Sequence, residues 1–436
     1  MTLALQPLRS ATLPASSVAT RTTTPGAALT GTRIASIDLL RGLVMVLMAL
    51  DHTRDFFAAA AFNPRDVAEP ALFLTRWITH FCAPTFIFLA GISAFLYGAQ
   101  GRSHGEVSRF LVTRGLWLIL IEFTVVRFAW TFSLAPDHLV TQVIFAIGAS
   151  MIALAVLVHL PRWAIATVGV AMIAGHNTLD GIKPGLFDAA PPVWNVLHQP
   201  GLFEAAGIKV YALYPLIPWI GVMAAGYALG PVFKLDRASR LRQLFGLGAA
   251  VTTAFVVLRA TNLYGDPAPW IAHDGWIGTP LSFINCEKYP PSLLYLMMTI
   301  GPALLLLAAF EDARGRLAAW ITTFGRVPFF YYVAHLFLIH ALAVLFAWTT
   351  NVDTAFLFGA FGTGKPAGYG LGLPGVYAVW LAVVVALYPA CRWFAAIKQR
   401  RREWWWSIFN GSTRGLPHAV PPISAPDRMD RSGCRS

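Results

Sequence analysis

Four ionisable side chains end an apolar run of the chain between residues 40 and 57: Asp51, His52, Arg54 and Asp55. Ionisable residues are costly to place inside a membrane and therefore indicate function. His52 is the strongest candidate, because a histidine with an ordinary pKa of about 6.5 can act as a general base at neutral pH. Arg54 and Asp55 are expected to be solvated where the helix reaches the headgroups. Asp55 could orient the His52 ring if the helix end unwinds.

The helix that carries His52 is predicted to be polar at both ends of one face. At about 100° per residue, Asp38, Arg41 and His52 fall within a narrow sector, whereas Asp51 points away from it. Arg41 is expected near the cytoplasmic surface, and His52 lies about 16 Å further along the axis. One helix face therefore connects the two sides of the membrane.

A second histidine, His80, lies in "RWITHFCAPTFIFLAG", at a depth similar to that of His52. Both rings could face one pocket. Pro84 is expected to kink this helix beside His80, and Gly91 to permit close helix packing. Two histidines without a third ligand at short spacing are a weak metal signal, so we expect no metal.

A later segment, "GRVPFFYYVAHLFLIHALAVLF", holds two more histidines. On one continuous helix, Arg326 and His340 share a face and His335 points nearly opposite. The histidines should therefore have different roles. Arg326, at the cytoplasmic end, could contact an anionic ligand or could simply be a positive flanking charge.

The long connection 261–290 and the helix entrance after it carry aromatic and amide side chains that suit a sugar. Tryptophan is also enriched at membrane interfaces without binding anything, and that alternative stays open. The candidate acceptor-binding residues are Trp270, Trp276, Asn285 and Tyr289.

The elements that must position these residues are membrane helices. Of the 436 residues, 56% are hydrophobic and only 12% are charged, against roughly 25% charged in soluble domains. Apolar stretches of about 20 residues recur along the chain. We predict an all-α bundle of ten transmembrane helices, at about 36–58, 71–98, 110–133, 138–160, 162–176, 211–231, 243–260, 291–310, 326–349 and 373–396.

The net charge of +12 follows membrane topology and does not indicate nucleic acid, because Lys and Arg accumulate in the predicted cytoplasmic loops. Ten spans place both termini in the cytoplasm. We predict a disordered tail over 1–32, although its composition also resembles a transit peptide. A membrane domain should follow over 33–396, and a basic, largely disordered tail over 397–436. The cysteines show no spacing typical of disulfides or zinc.

Five segments in this order resemble one family: "RIASIDLLRGLVMVLMALDH", "FCAPTFIFLAGISAFL", "YPLIPWIGVMAAGYALG", "YPPSLLYLMMTIGPALLLLA" and "GRVPFFYYVAHLFLIHALA". They are similar to bacterial membrane proteins related to the catalytic domain of heparan-alpha-glucosaminide N-acetyltransferase. The resemblance extends over roughly 33–396. It implies a helical bundle with a central tunnel and a transmembrane acyltransferase, which moves an acetyl group from cytoplasmic acetyl-CoA to an amine or hydroxyl of a sugar or envelope acceptor.

Acetyl-CoA is strongly anionic, so basic side chains at the cytoplasmic end should bind its nucleotide. The candidates are Arg41, Arg114 and Arg326, with Asp38 beside Arg41. The resemblance does not supply the catalytic histidine: the lysosomal member depends on a histidine between its first two spans, and residues 58–75 contain none. His52 and His80 are therefore candidates for their chemistry and depth.

Several alternatives stay open at this point. His52 could act as a base in direct transfer, or a histidine could carry the acetyl group covalently between the two sides. A transporter or flippase for an amphiphilic or glycan precursor is a competing function, although no inverted repeat is visible. A structural membrane subunit is a third. The expected surroundings are the lipid bilayer of a bacterial inner membrane, and a homodimer is compatible with the sequence.

Overall fold

Long apolar runs fold as helices here because hydrocarbon cannot hydrogen-bond an open backbone. The computed structural model describes residues 34–59, 65–135, 138–182, 191–359 and 364–400. The predicted N-terminal tail 1–32 lies outside them. The last helix continues to Arg400, so 397–400 are helical, and the rest of the predicted C-terminal tail lies outside the described residues.

The described chain is mostly helical. Its α-helices are α1 (Ala35–Phe57), α2 (Pro70–Thr79), α3 (Cys82–Gly98), α4 (His104–Ile121), α5 (Arg127–Thr131), α6 (Val143–Leu157), α7 (Arg162–Gly175), α8 (Pro191–Leu197), α9 (Leu216–Leu229), α10 (Arg237–Thr261), α11 (Gly278–Ile284), α12 (Leu293–Ala309), α13 (Arg316–Arg326), α14 (Pro328–Thr349) and α15 (Leu373–Arg400). A π-helical turn, Glu122–Val126, joins α4 to α5.

Each of the ten predicted spans contains a helix, and six helical segments of the described chain are long and apolar enough to cross a membrane. These are Pro70–Gly98, Leu216–Lys234, Arg237–Thr261, Leu293–Asp312, Pro328–Thr349 and Leu373–Lys398. Helix α1 has 23 residues but is not among the six, because it carries too many charges. Helices α6 and α7, of 15 and 14 residues, are shorter than the roughly 20 that a bilayer needs. The number ten and the cytoplasmic termini stay predictions.

The all-α prediction is wrong at one place, where three strands form a small sheet. Strand β1 (His138–Thr141) pairs in parallel with β3 (Ile208–Ala212), and β2 (Gly201–Ala205) pairs antiparallel with β3. The sheet therefore has the order β1-β3-β2. The predicted span 138–160 begins with the strand β1 and not with a helix. The local sequence does not predict this strand, because its partner β3 lies some seventy residues later in the chain.

Helices α3 and α9 pack closely through glycines. A side-chain carbon at Gly91 would overlap the carbonyl oxygen of Met223, and one at Gly226 would overlap that of Phe88. Small residues at such crossings let two backbones approach within a membrane. The predicted role of Gly91 in close packing is confirmed.

Helix α13 was missed in the sequence, and it changes the position of Arg326. The predicted span 326–349 begins only at Pro328, because Arg326 is the last residue of α13. Gly325 of α13 lies against the backbone of Asp38, and Gly42 of α1 lies against that of Ile321. The prediction that Arg326 and His340 share one helix face is therefore wrong.

The predicted kink beside His80 is a two-residue break, His80 and Phe81, between α2 and α3 within the helical segment Pro70–Gly98. Pro84 has no N–H, so the carbonyl four residues earlier, that of His80, loses its helical donor. The Tyr295 hydroxyl of α12 donates to this carbonyl at 2.8 Å. A hydrogen bond from another helix thus satisfies the backbone group that the proline leaves open.

Candidate active site

The centre of the candidate site is a pair of histidines from two helices. His52 lies on α1 and His335 on α14, and His52 Nδ1 is 2.7 Å from His335 Nε2. Their rings are parallel, with centroids 4.9 Å apart. His335 is fully buried and His52 is partly buried. The two imidazoles therefore form one hydrogen-bonded unit inside the bundle.

A backbone carbonyl fixes the proton positions of this pair when both rings are neutral. His335 Nδ1 lies 2.7 Å from the Tyr331 carbonyl oxygen, which can only accept, so this nitrogen carries a proton. Neutral His335 then has a lone pair on Nε2, and His52 Nδ1 must donate to it. Consequently His52 Nε2 keeps its own lone pair. That nitrogen is available as a base or a nucleophile.

Two aromatic side chains pack against the His52 ring and connect it to two cavities. Trp130 and Tyr332 meet the ring edge to face, with centroids at 4.9 and 6.0 Å. Tyr332 lines one cavity and Trp130 lines another. We name them the Arg41 cavity and the Trp130 cavity. His52 therefore contacts one wall residue of each.

The Arg41 cavity encloses about 150 Å³. Its polar lining comes from Arg41, Ser93 and Arg114, and Tyr97, Phe329 and Tyr332 are among its aromatic residues. Arg41 donates to Asp38 Oδ1 at 3.3 Å and to Ser93 Oγ at 3.1 Å. The structure thus brings together three of the residues predicted to bind acetyl-CoA. Asp38 supports Arg41, and Arg114 lines the same cavity as Arg41.

The Trp130 cavity is smaller, about 60 Å³, and it is more polar. Glu122, Arg127 and His138 contribute to its lining. Glu122 is buried in the π-helical turn, and its Oε2 accepts the backbone N–H of Phe145 at 2.9 Å, near the start of α6. A carboxylate at a helix start stabilises the free amides there. π-Helical turns are often found at functional sites.

Charged residues at the end of α1 form a network, which corrects the prediction for Arg54 but not for Asp55. The Arg54 side chain is only 11% exposed, and its Nη2 lies 2.7 Å from Asp51 and 2.9 Å from Asp55. Asp55 is exposed, as predicted. Asp51 also accepts from the Thr79 hydroxyl at 2.9 Å and lies 3.7 Å from the Lys288 amine. Asp55 therefore contacts Arg54, whereas His52 hydrogen-bonds to His335.

The ring contacts of His80 differ from those of His52. The His80 ring is buried against Tyr295, with centroids 5.3 Å apart, and neither ring nitrogen has a hydrogen-bond partner. The Arg326 side chain is exposed and does not line the Arg41 cavity, and the Arg326 carbonyl accepts from Lys398 at 3.0 Å.

The candidate acceptor-binding residues either hold the connection 261–290 in place or are exposed. The Trp270 indole donates to the Arg259 carbonyl at 2.9 Å, and the Asn285 carbonyl accepts from the buried Arg259 guanidinium at 3.1 Å. Both contacts hold the loop onto the end of α10. Trp276 is 87% exposed. Tyr289 is closer to the charged network, since Lys288 lies over its ring.

One group of residues has the composition of a metal site. A ligand atom from each of His176, Asp180 and His198 lies within 4.8 Å of the others. This group is not predicted from the sequence, which indicates no metal, because His198 lies 22 positions after His176.

Two residues of the His52 region were missed in the sequence. The sequence prediction separates His335 from His340, but neither His335 nor Glu122 is among its candidate residues. Both are ionisable residues within apolar helices, which is a signal for function. The sequence does not show that these two side chains are buried inside the protein, or which residues they contact there.

Comparison with known proteins agrees with this architecture. No curated protein matches the chain. The family model described as heparan-alpha-glucosaminide N-acetyltransferase, catalytic, matches residues 33–263, more than half of the chain. The match includes His52, His80, Arg41 and Arg114 and ends before α12. The apolar helices and this match make the chain an integral membrane protein that belongs to the heparan-alpha-glucosaminide N-acetyltransferase catalytic-domain family.

Proposed function

We propose that the chain transfers an acetyl group from cytoplasmic acetyl-CoA to an amine or hydroxyl of a sugar or envelope acceptor on the outer side of a bacterial inner membrane. The observation that carries the proposal is the His52–His335 pair, which contacts wall residues of two separate cavities. Family membership supports an acetyltransferase. Arg41 and Arg114 line the Arg41 cavity, which supports the binding of an anionic acetyl donor there.

His52 acts as the general base. The acceptor nitrogen or oxygen attacks the thioester carbonyl carbon, and His52 Nε2 takes the proton that the attacking atom loses. The carbon–sulfur bond then breaks, and the departing thiolate takes this proton from His52. The products are the acetylated acceptor and free CoA. While His52 is protonated, its Nδ1–H donates to His335 Nε2, which stabilises the positive charge.

The same nitrogen could instead carry the acetyl group covalently. In that route His52 Nε2 attacks the thioester, CoA leaves, and the acceptor then attacks the acetyl-imidazole. The two routes differ in one observable. Only the covalent route leaves labelled acetyl on the protein when acetyl-CoA is supplied without acceptor and the reaction is quenched rapidly.

The test uses purified full-length protein in lipid vesicles with radiolabelled acetyl-CoA. An amino sugar and its N-acetylated form are compared as acceptors, because the second offers hydroxyls only. We expect labelled product from the wild type and a loss of about 10²–10⁴-fold in His52→Ala, the usual contribution of a general base. Full activity in folded His52→Ala would contradict the assigned base. Transport of a glycan precursor with no binding or consumption of acetyl-CoA would establish the transporter alternative.

A further inference from the structure

A second group of chemically competent side chains lies outside the proposed reaction path. His176 is in the turn that follows α7, Asp180 comes one residue after that turn, and His198 follows α8. Both histidines are 2% exposed. Burying imidazoles without partners is unfavourable, so the arrangement requires an explanation.

The hydrogen bonds of these residues do not account for their burial. Neither ring nitrogen of His176 has a hydrogen-bond partner, and Nδ1 of His198 has none. His198 Nε2 is 3.2 Å from Asp180 Oδ1. Two ligands of a tetrahedral ion with bonds of about 2.0–2.1 Å lie roughly 3.3 Å apart, so this spacing already suits a metal.

We propose that His176, Asp180 and His198 bind one divalent transition-metal ion, with Zn²⁺ the best match, at a site separate from the His52–His335 pair. Two imidazoles and one carboxylate are a donor set that Zn²⁺ accepts, and the fourth position is left for water. The proposal does not depend on acetyl transfer. It replaces the expectation from sequence that the chain needs no metal.

Neighbouring groups would orient the ligands. Asn177 Nδ2 donates to Asp180 Oδ2 at 2.9 Å, which leaves Oδ1 for the ion. Asn177 Oδ1 accepts the backbone N–H of Leu293 at 2.9 Å, at the first residue of α12. Hydrogen bonds of this kind fix the orientation of metal ligands. The ion would thus tie the turns after α7 and α8 to the start of α12.

The test measures metal content of the full-length protein. The protein is stripped with a chelator, supplied with Zn²⁺, desalted and analysed by elemental mass spectrometry. We expect about one zinc per chain in the wild type. In Asp180→Asn and His198→Gln the zinc content should fall at least tenfold, on the order of the loss of a ligand or orienting group. The exposed His159→Gln is the matched control and should keep its zinc.

A second readout covers the case in which a histidine variant does not fold. Co²⁺ in the wild type should give the visible absorption of a four-coordinate site with nitrogen and oxygen ligands, and Asp180→Asn, nearly identical in shape, should lose it. Zinc should also raise the Tm of the wild type but not of Asp180→Asn. A wild type without zinc, or variants with unchanged zinc, would overturn the proposal, and neither result bears on acetyl transfer.

Discussion

His52 and His335 are 283 positions apart in the chain and hydrogen-bond ring to ring at 2.7 Å. The Tyr331 carbonyl on the far side of His335 sets the direction of the proton, so that the free lone pair lies on His52. The pair therefore has unequal members: His52 keeps a free lone pair on Nε2, and His335 accepts its Nδ1 proton.

The first prediction follows from this inequality. In the labelled acetyl-transfer assay, His335→Ala should reduce kcat because His52 loses the acceptor for its Nδ1 proton, but by less than His52→Ala does. The double variant should be no slower than His52→Ala alone, since residues that act as a unit are not additive. The exposed His159→Gln should leave kcat unchanged. Losses that multiply in the double variant would show that the two rings act independently.

Arg41 and Arg114 should act on the binding of acetyl-CoA through its phosphates. Replacing either by Gln should raise the KM for acetyl-CoA about 10–100-fold, the equivalent of a charge-assisted hydrogen bond of about 1.5–3 kcal/mol. Acetyl-pantetheine has no phosphate and serves as the comparison donor. For this donor, the variants and the wild type should have the same KM. The exposed Arg162→Gln is the control. An equal effect on both donors would place the arginines elsewhere in the reaction.

Tyr295→Phe should destabilise the fold at the break between α2 and α3. The His80 carbonyl then loses its donor, and a buried unsatisfied group costs about 1–3 kcal/mol. Thermal unfolding in detergent measures the loss. Pro84→Ala restores an N–H that can reach the His80 carbonyl, so the double variant should recover part of the Tm. No recovery would mean that the proline does not cause the break.

Gly226→Ala should loosen the contact between α3 and α9, because the added methyl group overlaps the Phe88 carbonyl oxygen. We expect a loss of about 1–3 kcal/mol, typical of overpacking. Gly246 on α10 has open space around it, so Gly246→Ala should be neutral or slightly stabilising. Equal Tm values for the two variants would show that the close approach is not required.

Lys365 should make the stability of the fold depend on pH. Burial lowers the pKa of its amine from 10.5 to about 8, while the amine donates to the Ala58 carbonyl at 2.6 Å. Between pH 8 and pH 10.5 the Lys365 amine keeps its proton in the unfolded chain but has released it in the folded chain. The folded state therefore gains stability as the pH rises through this window and loses it as the pH falls back through 8.

The measurement is the difference in Tm between wild type and Lys365→Gln at pH 7 and pH 10. The difference should shift in favour of the wild type at the higher pH. Lys209→Gln, on the exposed side of β3, provides the comparison for a surface lysine. A difference that does not change with pH would contradict the buried position of the amine.

The sequence by itself determined that the protein is mostly helical and which family it belongs to. It also determined one member of the His52–His335 pair, the candidate base His52. Apolar runs of membrane length must become helices, whatever they pack against, because lipid leaves the backbone no other partner. His52 could be chosen for the same local reason, as an ionisable group within such a run. Pro84 likewise required a disturbed helix beside His80.

Only the tertiary structure decided the contacts between distant segments. Helical periodicity describes which residues share a face of one helix but not which helix that face meets, so His335 could not be matched to His52. Strand β1 depends on a partner in another part of the chain. The approach of His176 and His198 has the same origin: their spacing in the chain indicates nothing until the turns after α7 and α8 meet.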